Sequence, residues 1–313
     1  MIRGQKKPTT LPMRTFLIFV LLFGSVQKSF ASRIQVSALS TPNSELQITG
    51  LMATADRWVW VHLAKLGEST SEQTGEPIAA QKSAPKGEQT DFFPVLQDHQ
   101  FTLTIFLRFG PGKYEITTRE SVSSSQYSSS YYPVDRFEVE SLDAASSPDT
   151  LPSEWVESRD PEILALALQI TQDAPDSFSK SKAIHDWVSS NIAYDTDAFF
   201  SGLFKNYSAL DTLRQRKALC SGYSHLTAAL HRALGIPARM IIGKASWNGA
   251  EGDHEWNEIQ VGNSWIIEDT TWDAGTVSPQ TRNFTFSPNE RYFNPSVTDF
   301  AKDHVRIKVA EAE

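Results

Sequence analysis

The chain has one cysteine, Cys220, in 313 residues. No disulfide can form within it, and a cysteine-rich zinc site is excluded. It also lacks a basic excess: Lys and Arg number 29 against 37 Asp and Glu, for a net charge of −8. A general nucleic-acid binder would carry the opposite balance. No apolar run is long enough to read as a membrane span. The stretch Phe16 to Phe23 holds eight apolar residues, where a spanning helix takes ~20. Three chemical motifs are missing as well: the phosphate-binding P-loop, the Gly-x-Gly-x-x-Gly fingerprint and the two-histidine zinc-protease motif. His254-Glu-Trp-Asn-Glu258 comes nearest to the last and has no second histidine. What remains is globular composition, 40% hydrophobic and 21% charged, at a length that fits two domains.

The first residues have the pattern of a targeting segment. Arg3, Lys6, Lys7 and Arg14 precede the apolar run, and Ser29-Phe30-Ala31 puts small residues where a signal peptidase reads. Residues 1–31 are therefore expected to be a secretory signal peptide, and the absence of a cysteine at the cleavage site excludes a lipoprotein. Its removal leaves 24 basic and 37 acidic residues, a net of −13. Such a chain is soluble and poorly suited to anionic membranes, so no stable insertion is expected after cleavage. The expected location is secreted, periplasmic or cell-envelope. Export makes Cys220 conspicuous, because exported proteins normally use cysteines in pairs. A lone thiol there is either buried or used.

Residues 33–140 read as an all-β sandwich. Arg33–Leu39, Glu45–Thr49 and Phe101–Leu107 alternate polar and apolar at a period of two, and Arg57–Leu63 is rich in strand formers. Phe109-Gly-Pro-Gly112 turns into Lys113–Thr117. Residues 67–91 read as a polar loop, and Ser121–Ser130 as a low-complexity patch. Nothing in this half clusters chemical groups, so it reads as a spacer or binding module. Residues 141–159, with Ser146-Ser-Pro148 and Leu151-Pro-Ser153, read as a linker.

From residue 160 to 313 the pattern changes to α+β, helices first and an antiparallel sheet after. Pro161 opens one helix with an acid in its first turn. Ser179–Ile192 is a second, and Ser208 with Asp211 starts a short third in a variant of the capping box. The fourth runs from Cys220 to Leu234 and stops at Gly235. After Pro237 come three strands: Ala238–Ala245, His254–Val261 and Ser264–Asp269.

Cys220 thus stands where a loop enters a helix. The unpaired N–H groups there carry roughly half a positive charge, which favours the thiolate, the nucleophilic form. Gly222 would let a substrate backbone approach. A thiolate needs a base, and histidine suits that role. His62, His99 and His304 have no supporting pattern near the helix, while His185, His225 and His231 sit among core residues. His254 opens a strand whose hairpin turn, Gly262-Asn263, fixes a register. If the turn has two residues, Val261 pairs with Ser264 and Trp256 with Asp269. His254 and Trp256 share a face, so Asp269 becomes the diagonal neighbour of His254, at ~7 Å between backbones. Its carboxylate can then fix the imidazole tautomer. Asp273 is the runner-up for that role. Asp253, His254, Glu255 and Glu258 could suggest a metal, but alternation splits them between two faces, so neither metal nor cofactor is expected.

Residues 182–273 resemble the transglutaminase-like superfamily. Trp187-Val-Ser-Ser-Asn-Ile-Ala-Tyr194-Asp195 looks like its first helix and the Tyr-Asp that follows. Ala218-Leu-Cys220-Ser-Gly222-Tyr223 looks like its nucleophile motif, and Leu234-Gly-Ile-Pro-Ala-Arg239 with Gly243 like the next segment. His254-Glu-Trp-Asn-Glu258 and Trp265 through Asp269-Thr-Thr-Trp-Asp273 resemble the motifs that carry its histidine and aspartate. Arg291-Tyr-Phe293 and Asp303-His304 match the tail of bacterial members more weakly. Ala218 stands where the family often has Gly, and Glu255 where it has a small residue.

The resemblance implies a papain-like core with Cys220 as nucleophile, His254 as base and Asp269 as orienting acid. It implies attack on an amide of a protein or peptide and a thioester intermediate, resolved by water or an amine. Peptidase or amidase chemistry is preferred over transamidation, because no second-substrate feature is visible. The Cys220 N–H, Tyr194 and Trp187 are candidates for the oxyanion, with Trp187 also at core spacing. Trp256 is a candidate for the cleft. The alternative is an inactive member that binds or scaffolds at the cell envelope.

Overall fold

The computed structural model describes residues 33–38, 45–52, 58–66, 88–94, 96–122, 130–144, 147–202, 207–247 and 249–311. The expected signal peptide lies outside these residues, as do most of the polar loop and of the serine patch. Residues 32–313 form one compact unit.

The N-terminal part folds into two antiparallel sheets. β1 (Arg33–Ala38), β2 (Glu45–Leu51) and β5 (Gln100–Phe106) make one, in the order β1-β2-β5. β4 (Gln89–Phe92), β3 (Val59–Lys65), β6 (Gly112–Ser121) and β7 (Tyr131–Ser141) make the other, in that order. The period-two pattern does what it predicts. Leu46 and Ile48 of β2, Val59, Val61 and Leu63 of β3, and Tyr114 and Ile116 of β6 all point into one shared core. β4 and β7 are strands the sequence pattern hides. β4 is polar and lies at a sheet edge, and β7 buries little beyond Phe137 and Ser141, so neither carries a clear alternation.

Residues 147–160 pack onto the second half. Val156 is fully buried among the helices, and Ser153 pairs with Val156. The helices follow: α1 (Pro161–Ile170), α2 (Ser177–Asn191), α3 (Thr196–Ser201), α4 (Ala209–Gln215) and α5 (Cys220–Ala233). Their starts obey side-chain capping. Asp160 accepts from the Glu162 N–H, Asp176 from that of Ser179 and Ser208 from that of Asp211. α5 ends at Gly235, whose φ is +71°, a conformation glycine adopts freely. α5 is the central helix. Tyr223, Leu226, Ala228, Ala229 and Leu230 are fully buried on it. Such all-round burial explains why its apolar stripe is wider than an amphipathic surface helix needs. Two very short strands, β8 (Ala193–Tyr194) and β9 (Lys217–Ala218), pair in parallel between the helices.

The sheet of this half has the order β12-β11-β10-β15, from β10 (Ala238–Trp247), β11 (Ala250–Val261), β12 (Ser264–Glu268) and β15 (His304–Val309). Val261 pairs with Ser264, so the hairpin loop has two residues as expected. The ladder ends at Asn257 opposite Glu268. Asp269 is therefore not the last residue of a strand; it caps α6 (Thr270–Ala274). β13 (Gly275–Val277), β14 (Phe284–Phe286) and α7 (Val297–Phe300) precede β15.

Candidate active site

Cys220 is the first residue of α5 and is partly exposed. Two contacts hold its loop. β8 and β9 pair Tyr194 with Ala218, and the Asp195 N–H donates to the Ala218 carbonyl at 2.8 Å. Tyr223 then ties α5 to the end of α2 through a hydrogen bond to the Ile192 carbonyl. Gly222 has a different reason from the one expected. A Cβ there would meet Ala218 Cβ at 2.5 Å, Thr212 Oγ1 at 2.6 Å and Tyr207 Cβ at 2.8 Å. Its missing side chain serves the packing of α5 against α4 and β9, not the approach of a substrate.

The sheet brings His254 to the thiol. Ser224 and Asn257 fasten α5 to β11: Asn257 Nδ2 donates to the Ser224 carbonyl at 3.1 Å, and Ser224 Oγ to the Trp256 carbonyl at 3.2 Å. His254 is buried, and Cys220 lies close enough to its ring to raise it. His254 Nε2 faces Asp269 Oδ2 at 2.8 Å. Asp269 Oδ1 accepts from the N–H groups of Thr271 and Trp272. The diagonal placement expected from the register is thus reached with one change. The chain leaves the strand before Asp269, and the carboxylate is aimed by the helix it caps.

The charges follow. Burial opposes charging of His254, but Asp269 beside it and Cys220 outweigh that and push the imidazole up to about 10. Burial also opposes charging of Asp269, yet the His254 charge and hydrogen bonds from His254 and His304 hold this carboxyl well below the usual range. Cys220 thus stands beside an imidazole at the start of a helix, the placement a nucleophilic thiol needs.

The other candidates sort clearly. Tyr194 is close enough to Cys220 and Asp269 for their charges to raise its hydroxyl, after burial, which raises it most. It is a neutral donor beside the thiol. Trp187 is not at the thiol among its described contacts: Arg216 lies over its ring at 4.6 Å, and it packs on the helical core. Trp256 is 2% exposed, stacked on His254 at 6.1 Å. It is a wall behind the histidine rather than part of an open cleft. Gly243, opposite His254 on β10, makes room for it, since a Cβ there would lie 2.3 Å from Trp256 Cη2. Asp273 is taken by His185, whose Nε2 lies 3.0 Å from its Oδ2.

One residue was set aside wrongly at the sequence level. His304, 50 residues beyond His254, is buried and its Nε2 lies 3.1 Å from Asp269 Oδ2. β10 carries both histidines into place, with Gly243 opposite His254 on one side and Ala245 opposite His304 on the other. Only the Asp303-His304 dipeptide, in the weakly matching tail, pointed to it. Polar atoms of His254, Asp269 and His304 lie within 4.8 Å of one another, and hydrogen bonds join them. The four residues first weighed for a metal do part ways: Asp253 pairs with Lys244, Glu255 faces His225, and Glu258 pairs with Arg306.

Residues 164–270, which contain Cys220, His254 and Asp269, match the model of the transglutaminase-like superfamily. This stretch of the chain is a transglutaminase-like domain. Among curated proteins, kyphoscoliosis peptidase of Mus musculus is 30% identical over 180 residues, 55% of this chain and 26% of that protein. An uncharacterized Bacillus subtilis protein, YebA, is 28% identical over 155 residues, 48% of this chain and 19% of that one. The chain thus spans about a quarter or less of the length of these relatives. Among solved structures, a Cytophaga hutchinsonii protein described as a candidate cysteine protease is 18% identical with a TM-score of 0.37, over 88% of this chain and 91% of that one. Red sea bream transglutaminase is 12% identical with a TM-score of 0.30, over 73% of this chain and 48% of that one.

Proposed function

We propose that the protein is an exported thiol enzyme that acts on amide bonds of proteins or peptides, with Cys220 as nucleophile, His254 as base and acid, and Asp269 as orienting carboxylate. The observation that carries this reading is the placement of Cys220, at the start of α5, close enough to His254 to raise its imidazole, with His254 Nε2 in turn 2.8 Å from Asp269 Oδ2. The thiolate attacks the amide carbonyl carbon, and the oxygen takes the negative charge. The Cys220 N–H at the start of α5 and the Tyr194 hydroxyl are the donors suited to that oxyanion. His254 gives its proton to the leaving nitrogen as the C–N bond breaks, and an acyl thioester remains. Water or an amine then attacks the thioester carbonyl. His254 takes the attacker's proton, and the thiol is restored as the acid or a new amide departs. We favour hydrolysis, and the peptidase named among the relatives agrees with that choice. Export rests on the charged and apolar pattern of residues 1–31.

The test is incubation with unfolded and cell-envelope proteins, with and without a fluorescent primary amine. Fragments or released ammonia that vanish in Cys220→Ala support hydrolysis; amine incorporation supports transfer. A Cys220 that alkylates like an ordinary thiol at every pH, unchanged in His254→Ala, would overturn the reading in favour of a binding or scaffolding protein.

A further inference from the structure

α3 is held in place without a core. It buries none of its six residues, whereas every other described helix buries at least one. A helix this short does not stand alone in water. Its fastenings are polar and lie at its start. The Asp195 N–H donates to the Ala218 carbonyl at 2.8 Å. Asp195 Oδ1 caps the helix by accepting from the Ala198 N–H at 3.1 Å, and Oδ2 accepts from the Tyr207 hydroxyl at 2.8 Å. Lys217 Nζ lies 3.1 Å from Asp195 Oδ1 and 2.7 Å from Asp197 Oδ2. Lys217 and Ala218 belong to the short strand that leads into Cys220. The loop that carries the nucleophile therefore sets where α3 stands.

What α3 presents is aromatic. Phe199 is 51% exposed and Phe200 37%. Their ring centroids are 5.1 Å apart, and Phe199 meets the Tyr194 ring at 5.8 Å. Tyr194 is the residue that pairs with Ala218 and stands near Cys220. Three rings in contact thus begin at the nucleophile loop and end in solvent. Single exposed apolar side chains are ordinary, but a contiguous run of them marks a contact surface. The far end of the run carries a cation. Arg282, on the turn between β13 and β14, lies over the Phe200 ring at 4.9 Å. That turn is closed by the Arg282 N–H on the Ser278 carbonyl at 2.8 Å and by the Ser278 N–H on the Asn283 carbonyl at 3.0 Å. Arg282 is exposed and has no carboxylate partner among the described residues. In a chain of net charge −8, such a guanidinium is left for an acid from outside.

We propose that Phe199, Phe200 and Arg282 select the substrate: a bulky apolar side chain beside the scissile amide lies on the aromatic run of α3, and a carboxylate next to it pairs with Arg282. This inference rests on the catalytic reading above and adds a substrate class to it. The class is unfolded peptide in which an aromatic or large aliphatic residue neighbours an acidic side chain or the C-terminal carboxylate. The apolar contact removes exposed ring surface from water, and the cation at its far end gives the bound segment a direction. The other charges at the start of α3 do not compete for that carboxylate, because Lys217 is engaged by Asp195 and Asp197.

The probes are alkylating agents, in each of which the Cys220 sulfur displaces iodide and forms an S–C bond. Iodoacetamide has no side chain. Iodoacetyl-phenylalaninamide adds a ring. Iodoacetyl-phenylalanine adds a ring and a terminal carboxylate, and the α-amide of iodoacetyl-phenylalanyl-glutamate a ring and a side-chain carboxylate. Each rate, divided by that of the same reagent with glutathione at the same pH, gives a selectivity ratio. In the wild type the ring should raise the ratio about two- to tenfold, the range of an aromatic contact. A carboxylate should raise it a further two- to fivefold, roughly, and that gain should fade at high salt. The more favoured of the two carboxylate reagents identifies the source of the acid; a gain with neither overturns the pairing with Arg282. Phe199→Ser should lose most of the ring's gain and Phe199→Leu should keep part of it, while Arg282→Gln should lose only the carboxylate's. Both positions are exposed, and thermal melts confirm folding. If the variants merely loosen α3, all reagents slow alike and the ratios stay as in the wild type, which overturns the inference. A wild-type ratio near one, at a Cys220 whose reactivity still depends on His254, also overturns it and leaves the catalytic reading standing. So does a gain that fades as protein concentration rises and a dimer forms in sedimentation, because the aromatic run then belongs to a second copy of the chain. A Cys220 that reacts as an ordinary thiol with every reagent, unchanged in His254→Ala, sinks both readings.

Discussion

Replacing Glu311 by Gln should unfasten the N-terminal sheets from the helical core. The carboxylate of Glu311 joins two arginines that are almost wholly buried, Arg108 just after β5 and Arg232 in the last turn of α5. Arg232 Nη2 donates to Oε2 at 3.0 Å, Arg108 donates to the same oxygen, and Ser153 donates to Oε1. Arg232 further donates to the carbonyls of Ala238 and Leu151. Burial alone would push the Glu311 carboxyl up, but the charges of Arg108 and Arg232 hold it well below the usual range. Glu311→Gln keeps the volume and strands two desolvated guanidinium groups. Breaking a buried pair in this way costs about 3–5 kcal/mol, a large share of a typical total of about 5–15 kcal/mol. At about 2–4 °C per kcal/mol for a chain of this size, Tm falls by roughly 6–20 °C. Urea titration followed by circular dichroism and by tryptophan fluorescence measures it, and splitting of the two curves would show the halves coming apart in turn. The pH dependence has a definite sign. The folded carboxyl is depressed, so its contribution is whole above the ordinary value of 4.5 and is lost as pH falls through the folded value. The gap between wild type and variant must therefore narrow in acid. A loss below about 1 kcal/mol at neutral pH, against the 3–5 expected, or a gap that widens in acid, would refute the reasoning.

Gly222→Ala should lower stability by about 1–3 kcal/mol through overpacking against Ala218, Thr212 and Tyr207, read as a lower urea midpoint and slower Cys220 alkylation. Asp269→Asn and Asp273→Asn should separate the two acids: the first collapses alkylation below pH 8, while the second loses the His185 partner and changes the melt far more than the thiol. His254 is raised from 6.5 to about 10, so its pairing stabilises the fold fully below pH 6.5 and ceases to as pH rises through about 10. The difference in urea midpoint between wild type and Asp269→Asn should accordingly shrink between those values, and a difference that grows with pH would contradict the pairing.

Much of the fold was legible because burial writes a period into the sequence. β2, β3, β5 and β6 alternate, and they are strands with one buried face. Cap residues did the same for helices: Ser208, Pro161 and Gly235 mark ends that the structure keeps. The hairpin turn set the register of β11 and β12 to the residue, which is why His254 and Asp269 could be paired on paper. The elements that escaped carry little buried apolar surface. α3 buries no residue, and β4 is a polar edge. α6 was hidden for another reason, since its capping residue reads equally well as the next residue of the preceding strand.

Polar partnerships follow a different rule. A carboxylate binds whatever donor the finished topology brings near, and nothing periodic in the chain announces it. Asp273 is the runner-up to Asp269 for orienting His254 by sequence, yet it lies four residues further along, at the other end of α6, and meets α2 instead. His304 looked irrelevant because its strand has no hairpin partner. β15 reaches the sheet only after β13, β14 and α7 have intervened, and it lands on the free side of β10. Tyr194 reaches Cys220 in a similar way, through a two-residue parallel bridge that no local pattern encodes. The residues that could do chemistry were legible one at a time, from their type and from the element they begin. Their arrangement depended on which strand ends as neighbour to which. A substitution that weakens β15 against β10, well away from the thiol, should therefore loosen Asp269 through His304 and slow alkylation of Cys220 while leaving α5 in place.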